Sequence, residues 1–141
     1  MIRAFFIALI VAIANGYFFN WINDRFYHFE TKTLFAYASR WELLFLVVIF
    51  APVLETYLAQ DLPKRILSKL KITSTWLLLL LPSIIFALAH WYFWLYAVMT
   101  FFSGLILNYF YLWAKRRFAY YILLTIGLHA ACNLYGFLFT S

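Results

Sequence analysis

Residues 72–114 read ITSTWLLLLLPSIIFALAHWYFWLYAVMTFFSGLILNYFYLWA and contain no Asp, Glu, Lys or Arg. A membrane-spanning helix needs about 20 predominantly apolar residues, so this stretch is too long for one helix. We predict two helices joined by a tight, apolar turn between about Trp91 and Tyr96. His90, which precedes that turn, is the only side chain of the stretch that titrates near neutral pH.

Three further windows have the same character. Residues 4–23 carry no charge, residues 43–60 carry only Glu55, and residues 118–141 contain His129 as their only ionisable group near neutrality. Each window has the length of one crossing. The sequence therefore predicts an all-α, polytopic transmembrane helix bundle of about five membrane-spanning helices. We expect one integral-membrane domain over residues 1–141, with no soluble domain appended.

The composition supports this class. Hydrophobic residues make up 67% of the chain and charged residues 11%, whereas a soluble domain has about 25% charged residues. The net charge of +6 does not indicate a nucleic-acid partner, because the basic residues lie in short loops where lipid head groups and topology explain them. The lipid bilayer is the expected partner. Cys132 is the single cysteine, so no intrachain disulfide forms.

Loop charges predict the orientation. One side carries eight basic residues and the other three, diluted by acidic residues. The positive-inside rule places the richer side in the cytoplasm, so we expect a cytoplasmic N-terminus and an external C-terminus. The eight are Arg3, Lys64, Arg65, Lys69, Lys71, Lys115, Arg116 and Arg117, and the three are Arg25, Lys32 and Arg40.

The N-terminal window has a second interpretation. Arg3, the apolar stretch and Ala12-Ile13-Ala14 are typical of a signal peptide with a small-residue cleavage site. The apolar character continues through residues 16–21, which favours a full span. Cleavage would leave the other four helices unchanged.

The candidate site consists of Glu55, His90, His129 and Asn133. Burying a carboxylate or imidazole in hydrocarbon costs on the order of 3 kcal/mol, so such groups usually face the bundle interior and do chemistry or transport there. Phe86 and His90 lie one helical turn apart, as do His129 and Asn133, so each pair shares a helix face.

This set of groups is sufficient for hydrolysis. Glu55 follows Pro52 by three residues. A proline kinks a spanning helix and leaves one backbone carbonyl without its N–H donor, which is tolerated where polar groups or water can bind that carbonyl. In a low-dielectric pocket Glu55 can act as general base on a water. Asn133 and one histidine can donate hydrogen bonds to an oxyanion, so no serine or cysteine nucleophile is required.

At these residues the sequence resembles the CPBP family, which comprises the CAAX proteases and bacteriocin-processing (Abi-type) enzymes and includes glutamic intramembrane proteases. The family pattern is Glu-Glu-x-x-x-Arg after a proline, then Phe-x-x-x-His, a glycine-bearing helix, and His-x-x-x-Asn or Asp. Glu55 matches the first glutamate, Phe86 and His90 the second motif, and His129 and Asn133 the last. The stretch Phe102-Ser103-Gly104-Leu105-Ile106-Leu107 resembles the glycine-bearing helix.

The resemblance implies an intramembrane endopeptidase with a protease core at about residues 43–138, preceded by a first transmembrane helix and loop at 1–42. In that reading Glu55 activates water with the help of His90, while His129 and Asn133 stabilise the oxyanion. It implies no cofactor, and a peptide or protein substrate with a membrane-proximal cleavage site. Two departures bear on activity: Thr56 replaces the second glutamate and Gln60 replaces the arginine.

Alternatives remain open. Each residue has a structural interpretation: His90 as an interfacial hydrogen-bonder, Asn133 as interhelical packing, and Glu55 as a proton-relay group. The fold could belong to a catalytically degenerate immunity or peptide-binding protein. A metal-dependent hydrolase with Glu55, His90 and His129 as ligands is a third possibility.

Two expectations concern the setting of the bundle. The small size and the family resemblance indicate a bacterial inner membrane. Small residues such as Gly127 and Ala131 allow close helix contact within the bundle as readily as between protomers, so the oligomeric state stays open.

Overall fold

The computed structural model describes residues 1–30 and 38–139. Lys32, one of the loop charges counted above, lies outside these residues, as does the last part of the final predicted window. The described chain forms five helices: α1 (Ile2–Tyr27), α2 (Arg40–Lys69), α3 (Thr75–Ala89), α4 (Trp94–Lys115) and α5 (Tyr121–Phe139). No β-strand occurs in the ranges just given. The prediction of an all-helical membrane bundle is confirmed.

The five helices differ in length. Four of them are long and apolar enough to cross a membrane, whereas α3 has only 15 residues. The turn between α3 and α4 occupies residues 90–93, at the start of the predicted range. Helix α3 ends just before His90, so His90 lies in the turn that leads to α4. The chain is an integral membrane protein.

Helix α2 changes its hydrogen-bonding pattern four times. Its segments are α-helical at Arg40–Phe45, π-helical at Leu46–Phe50, α-helical at Ala51–Glu55, π-helical at Thr56–Asp61 and α-helical at Leu62–Lys69. A Ser39–Glu42 capping box begins the helix. Short π-helical turns inside helices occur frequently at functional sites. The five-residue segment that ends with Glu55 is enclosed by two of them.

Helix α2 also runs further than the charge pattern predicts. The window ends at residue 60, but the helix continues to Lys69, because Pro63 stands at the start of its last α-helical segment, where a missing N–H is tolerated. Glu55 therefore lies in the middle of a long helix.

Helix α4 is the centre of the bundle, and α1, α3 and α5 all pack against it. Its approach to α3 is close at Gly104, where a Cβ atom would lie 3.1 Å from the Ser83 Cα and 3.4 Å from the Phe86 ring. Only glycine allows this contact without displacing α3. In contrast, large apolar side chains on the outer faces of α1, α2 and α5 are exposed, as expected of surfaces that face lipid.

Candidate active site

Glu55, His90 and His129 come from three different helices or helix ends and meet at one point. Glu55 Oε1 lies 3.6 Å from His90 Nε2, and Glu55 Oε2 lies 3.5 Å from His129 Nε2. Both distances exceed the ordinary N–H···O range, so the carboxylate is adjacent to both rings without a direct hydrogen bond to either. The Glu55 side chain is 24% exposed, which leaves its oxygens accessible to a small molecule.

Phe86 explains the position of His90. The His90 Nδ1 atom lies 2.8 Å from the Phe86 carbonyl oxygen, one turn earlier. A carbonyl only accepts hydrogen bonds, so Nδ1 carries a hydrogen and Nε2 is the atom directed at Glu55. His90 follows the end of α3, outside the spanning helices. Burial opposes its protonation, but the Glu55 carboxylate and the Phe86 carbonyl outweigh burial and raise the pKa of His90 above its ordinary value.

The Phe86 ring fixes the two imidazoles relative to each other. It is almost completely buried, with its centroid 4.5 Å from the His90 ring and 5.6 Å, edge to face, from the His129 ring. Such aromatic contacts are geometrically specific. The spacing Phe-x-x-x-His therefore provides both a carbonyl for one histidine and a wall for two.

His129 is the most enclosed member of the group, with a side chain only 5% exposed. Its Nε2 atom faces Glu55, and its Nδ1 atom is buried without a hydrogen-bond partner among the described residues. Helix α5 carries His129 in its middle and packs against α2. The ring is thus held by packing rather than by hydrogen bonds.

Asn133 takes part in a contact that the sequence does not predict. Its Nδ2 atom donates to the Val47 carbonyl at 2.9 Å. In the first π-helical segment the Ala51 N–H donates to the Leu46 carbonyl, five residues back. The next amide in that pattern would bond to Val47, but it belongs to Pro52, which has no N–H. Asn133 supplies the missing donor and ties α5 to α2.

These four residues line one cavity of about 620 Å³. Met99 and Ser103 of α4 also line it, and Asn15 of α1 donates hydrogen bonds to the Met99 carbonyl and the Ser103 hydroxyl, both at 3.0 Å. At the rim the hydroxyls of Tyr17 and Tyr135 lie 2.8 Å apart. The volume is within the range of ligand-binding pockets. Further lining residues are Phe29, Phe93, Tyr96 and Leu107.

The two departures from the family pattern lie next to the site. Thr56 and Gln60 are fully buried, and the Thr56 hydroxyl and both polar atoms of the Gln60 side chain have no hydrogen-bond partner among the described residues. They are one turn apart on α2. The positions of the absent glutamate and arginine are therefore occupied by uncharged polar groups, both turned into the bundle.

Lys64 was expected to contribute to topology and lipid binding, and for this residue the expectation of lipid binding is wrong. Its side chain is buried, 2% exposed, and its Nζ atom donates to the Gln60 carbonyl at 3.1 Å and to Asn108 Oδ1. The neighbouring Asp61 is also buried and accepts from Tyr111 and Arg65. Charge counting missed this cluster because the helix continues beyond the apolar window.

Comparisons with known proteins supply one match. Residues 37–135 match the model of a family described as "Rce1-like: Type II CAAX prenyl endopeptidase Rce1-like". This match confirms the resemblance that the motifs predict. No curated protein matches the chain, and no solved structure matches it. Within the described residues, no group of three His, Cys, Asp or Glu side chains has the arrangement of a metal site.

Proposed function

The chain belongs to the Rce1-like family of type II CAAX prenyl endopeptidases, and from this premise we propose that it is an intramembrane endopeptidase in which Glu55 activates the hydrolytic water. One observation carries the proposal: a partly exposed carboxylate lies between two imidazoles, 3.5 and 3.6 Å away, on the wall of a large cavity. The proposed substrate is a peptide or protein whose cleavage site lies near the bilayer.

In the proposed reaction Glu55 is the general base. It accepts a proton from a water as the water oxygen forms a bond to the carbonyl carbon of the peptide. His90, held by the Phe86 carbonyl with Nε2 towards Glu55, orients the carboxylate at the wall of the cavity. The tetrahedral intermediate then loses the amine, which takes the proton from Glu55.

His129 is the proposed donor to the oxyanion. Its Nε2 atom faces the same carboxylate, so a carbonyl oxygen that enters the site lies within its reach. Asn133 uses one N–H on Val47. Its amide nitrogen has a second N–H, which we assign to the oxyanion. In this way Asn133 both joins α5 to α2 and assists the reaction.

The test is cleavage of a panel of quenched fluorescent peptides with prenylated and unprenylated C-terminal tails by the chain in liposomes. We expect Glu55→Gln and His129→Ala each to lower cleavage by about a thousandfold at unchanged folded yield. Glu42→Gln is the matched control, because Glu42 lies on the same helix, is exposed, and keeps its capping interaction as glutamine. Its activity should equal that of the wild type.

Three results would contradict the proposal. Full activity of Glu55→Gln would exclude this carboxylate as the base. Loss of activity in the presence of chelators, restored by a divalent metal, would favour the metal-dependent alternative. Binding of tails without cleavage by the wild-type chain would favour a peptide-binding protein.

A further inference from the structure

A second polar cluster lies on α2 beyond the catalytic pocket. The Lys64 Nζ atom donates to Asn108 Oδ1 on α4, and Asn108 Nδ2 donates to the Ser83 hydroxyl on α3 at 3.0 Å. All three side chains are buried. The cluster therefore forms a continuous hydrogen-bonded connection from α2 through α4 to α3, which we call the clamp.

Asp61 and Tyr111 reinforce the clamp. The Tyr111 hydroxyl on α4 donates to the Asp61 carboxylate, and the Lys64 Nζ atom lies 4.4 Å from the centroid of the Tyr111 ring. Tyr111 is fully buried. Helix α2 is thus fixed to α4 by Asp61, the last residue of the second π-helical segment, and by Lys64, about one turn later.

The clamp stabilises the bundle less than apolar side chains of the same volume would. Removing charged groups from water costs free energy that a buried pair only partly recovers, and apolar side chains of similar volume often stabilise more. In a membrane the cost is higher, and such groups mark function. A role other than stability is therefore indicated.

The position of the clamp suggests that role. Helix α2 carries Glu55, and α3 carries Phe86 and ends just before His90. The five-residue segment Ala51–Glu55 has π-helical turns on both sides, so a regular helix does not determine its rotation. The Asn133–Val47 hydrogen bond holds it on one side, and the clamp holds it on the other.

We propose that Lys64, Asn108 and Ser83, with Asp61 and Tyr111, are positioning residues that set the separation between Glu55 and His90. None of them lines the catalytic cavity, so they act through the helices. This inference rests on the proposed function for its activity readout. It adds that the distance between the carboxylate and the imidazole is determined by contacts outside the cavity, which reach α3 at Ser83 in the middle of the helix.

The experiment compares matched pairs of substitutions in the full chain. Lys64→Met removes the buried amine, and Lys69→Met makes the same change at an exposed site on the same helix. Ser83→Ala removes one buried hydroxyl, and Ser68→Ala removes an exposed one. Ser83→Ala is the milder change and serves if Lys64→Met folds poorly.

We expect kcat to fall about tenfold to a hundredfold in Lys64→Met and less in Ser83→Ala, because small displacements of catalytic groups have effects of this size. KM should change little, since the cavity wall is intact. Hydrogen exchange of the amides in residues 51–61 should be faster in Lys64→Met than in Lys69→Met. The exposed controls should match the wild type in every readout.

The outcomes separate this inference from the proposed function. Equal hydrogen exchange of residues 51–61 in Lys64→Met and Lys69→Met would overturn the positioning role, as would a rise in KM at constant kcat. If the wild-type chain cleaves no peptide of the panel, the proposed function fails. The hydrogen-exchange comparison then decides the positioning role alone: faster exchange in Lys64→Met supports it.

Discussion

Helix α2 carries Glu55 in its middle and Asp61 in its second half, and these two carboxylates have opposite surroundings. Glu55 is 24% exposed and stands 3.5 and 3.6 Å from its two neighbours, too far for direct hydrogen bonds. Asp61 is 2% exposed and accepts hydrogen bonds from Tyr111 and Arg65. One carboxylate keeps free hydrogen-bonding capacity, and the other has used its capacity within the protein.

This difference distinguishes a carboxylate that is available for a reaction from one that holds helices in position. A general base must be able to bind a water and a proton, so it must not be saturated by the protein. A positioning group must be saturated, because a buried polar atom without a partner costs free energy. Helix α2 therefore carries two carboxylates that differ in hydrogen bonding: Asp61 beside the clamp is hydrogen-bonded within the protein, and Glu55 in the pocket is not bonded to either imidazole.

The largest expected loss of stability comes from replacing Asp61 by leucine, and Glu55→Leu is the comparison. Asp61→Leu removes the acceptor of the buried Tyr111 hydroxyl. It also removes the negative charge beside Arg65 and Lys64. We expect the unfolding free energy to fall by about 3 kcal/mol. Glu55→Leu removes a carboxylate that makes no direct hydrogen bond to either imidazole, and we expect a change within about 0.5 kcal/mol. Unfolding by denaturing detergent in mixed micelles measures both.

The same experiment can break the comparison. If Glu55→Leu loses as much stability as Asp61→Leu, the pocket carboxylate is a structural group and its reactivity is in doubt. A stable Glu55→Leu protein without cleavage activity would instead have the profile of a catalytic residue that contributes little to folding.

A second test concerns the contact that brings α3 and α4 together between the two regions. Gly104→Ala places a Cβ atom 3.1 Å from the Ser83 Cα, so the α3 backbone must shift by a few tenths of an ångström. We expect a loss of about 2 kcal/mol, typical of overpacking, and reduced cleavage because Phe86 moves with α3. Gly127→Ala is the control, since nothing lies within 4 Å of its added Cβ. Equal stability of the two variants would show that α3 adjusts freely.

Much of this arrangement could be predicted from the sequence. Charge-free windows locate the helices, because lipid excludes unpaired charge over a fixed thickness. The spacings from Phe86 to His90 and from His129 to Asn133 place each pair on one face. Together these patterns predict which residues reach the pocket.

The remaining features depend on long-range contacts. Lys64 has the appearance of a loop charge until Asn108, far away in the sequence, is known to lie beside it. The π-helical segments of α2 leave no mark in the hydrophobic pattern, apart from the prolines Pro52 and Pro63 that follow them. The Val47 carbonyl as a binding group could be found only from the hydrogen-bond pattern around Pro52.

A loss of stability smaller than those of Asp61→Leu and Gly104→Ala is expected at Asn133, which combines features of both regions. It lines the cavity, as Glu55 does, but its amide donates to a carbonyl that a proline has left unpaired, as a positioning group would. In Asn133→Ala the Val47 carbonyl loses its donor. Because the site adjoins a cavity that admits water, we expect a loss of about 1 kcal/mol in unfolding free energy.

Cleavage provides the sharper measure for this residue. If Asn133 only positions α2, its kcat should fall by no more than that of Lys64→Met, and the hydrogen exchange of residues 46–55 should increase in parallel. If its second N–H also binds the oxyanion, kcat should fall further, by about a hundredfold or more, with little additional exchange. The ratio of the change in kcat to the change in hydrogen exchange decides which role Asn133 has. Loss of a positioning residue alters the backbone of α2 and thereby the reaction. Loss of an oxyanion donor alters only the reaction.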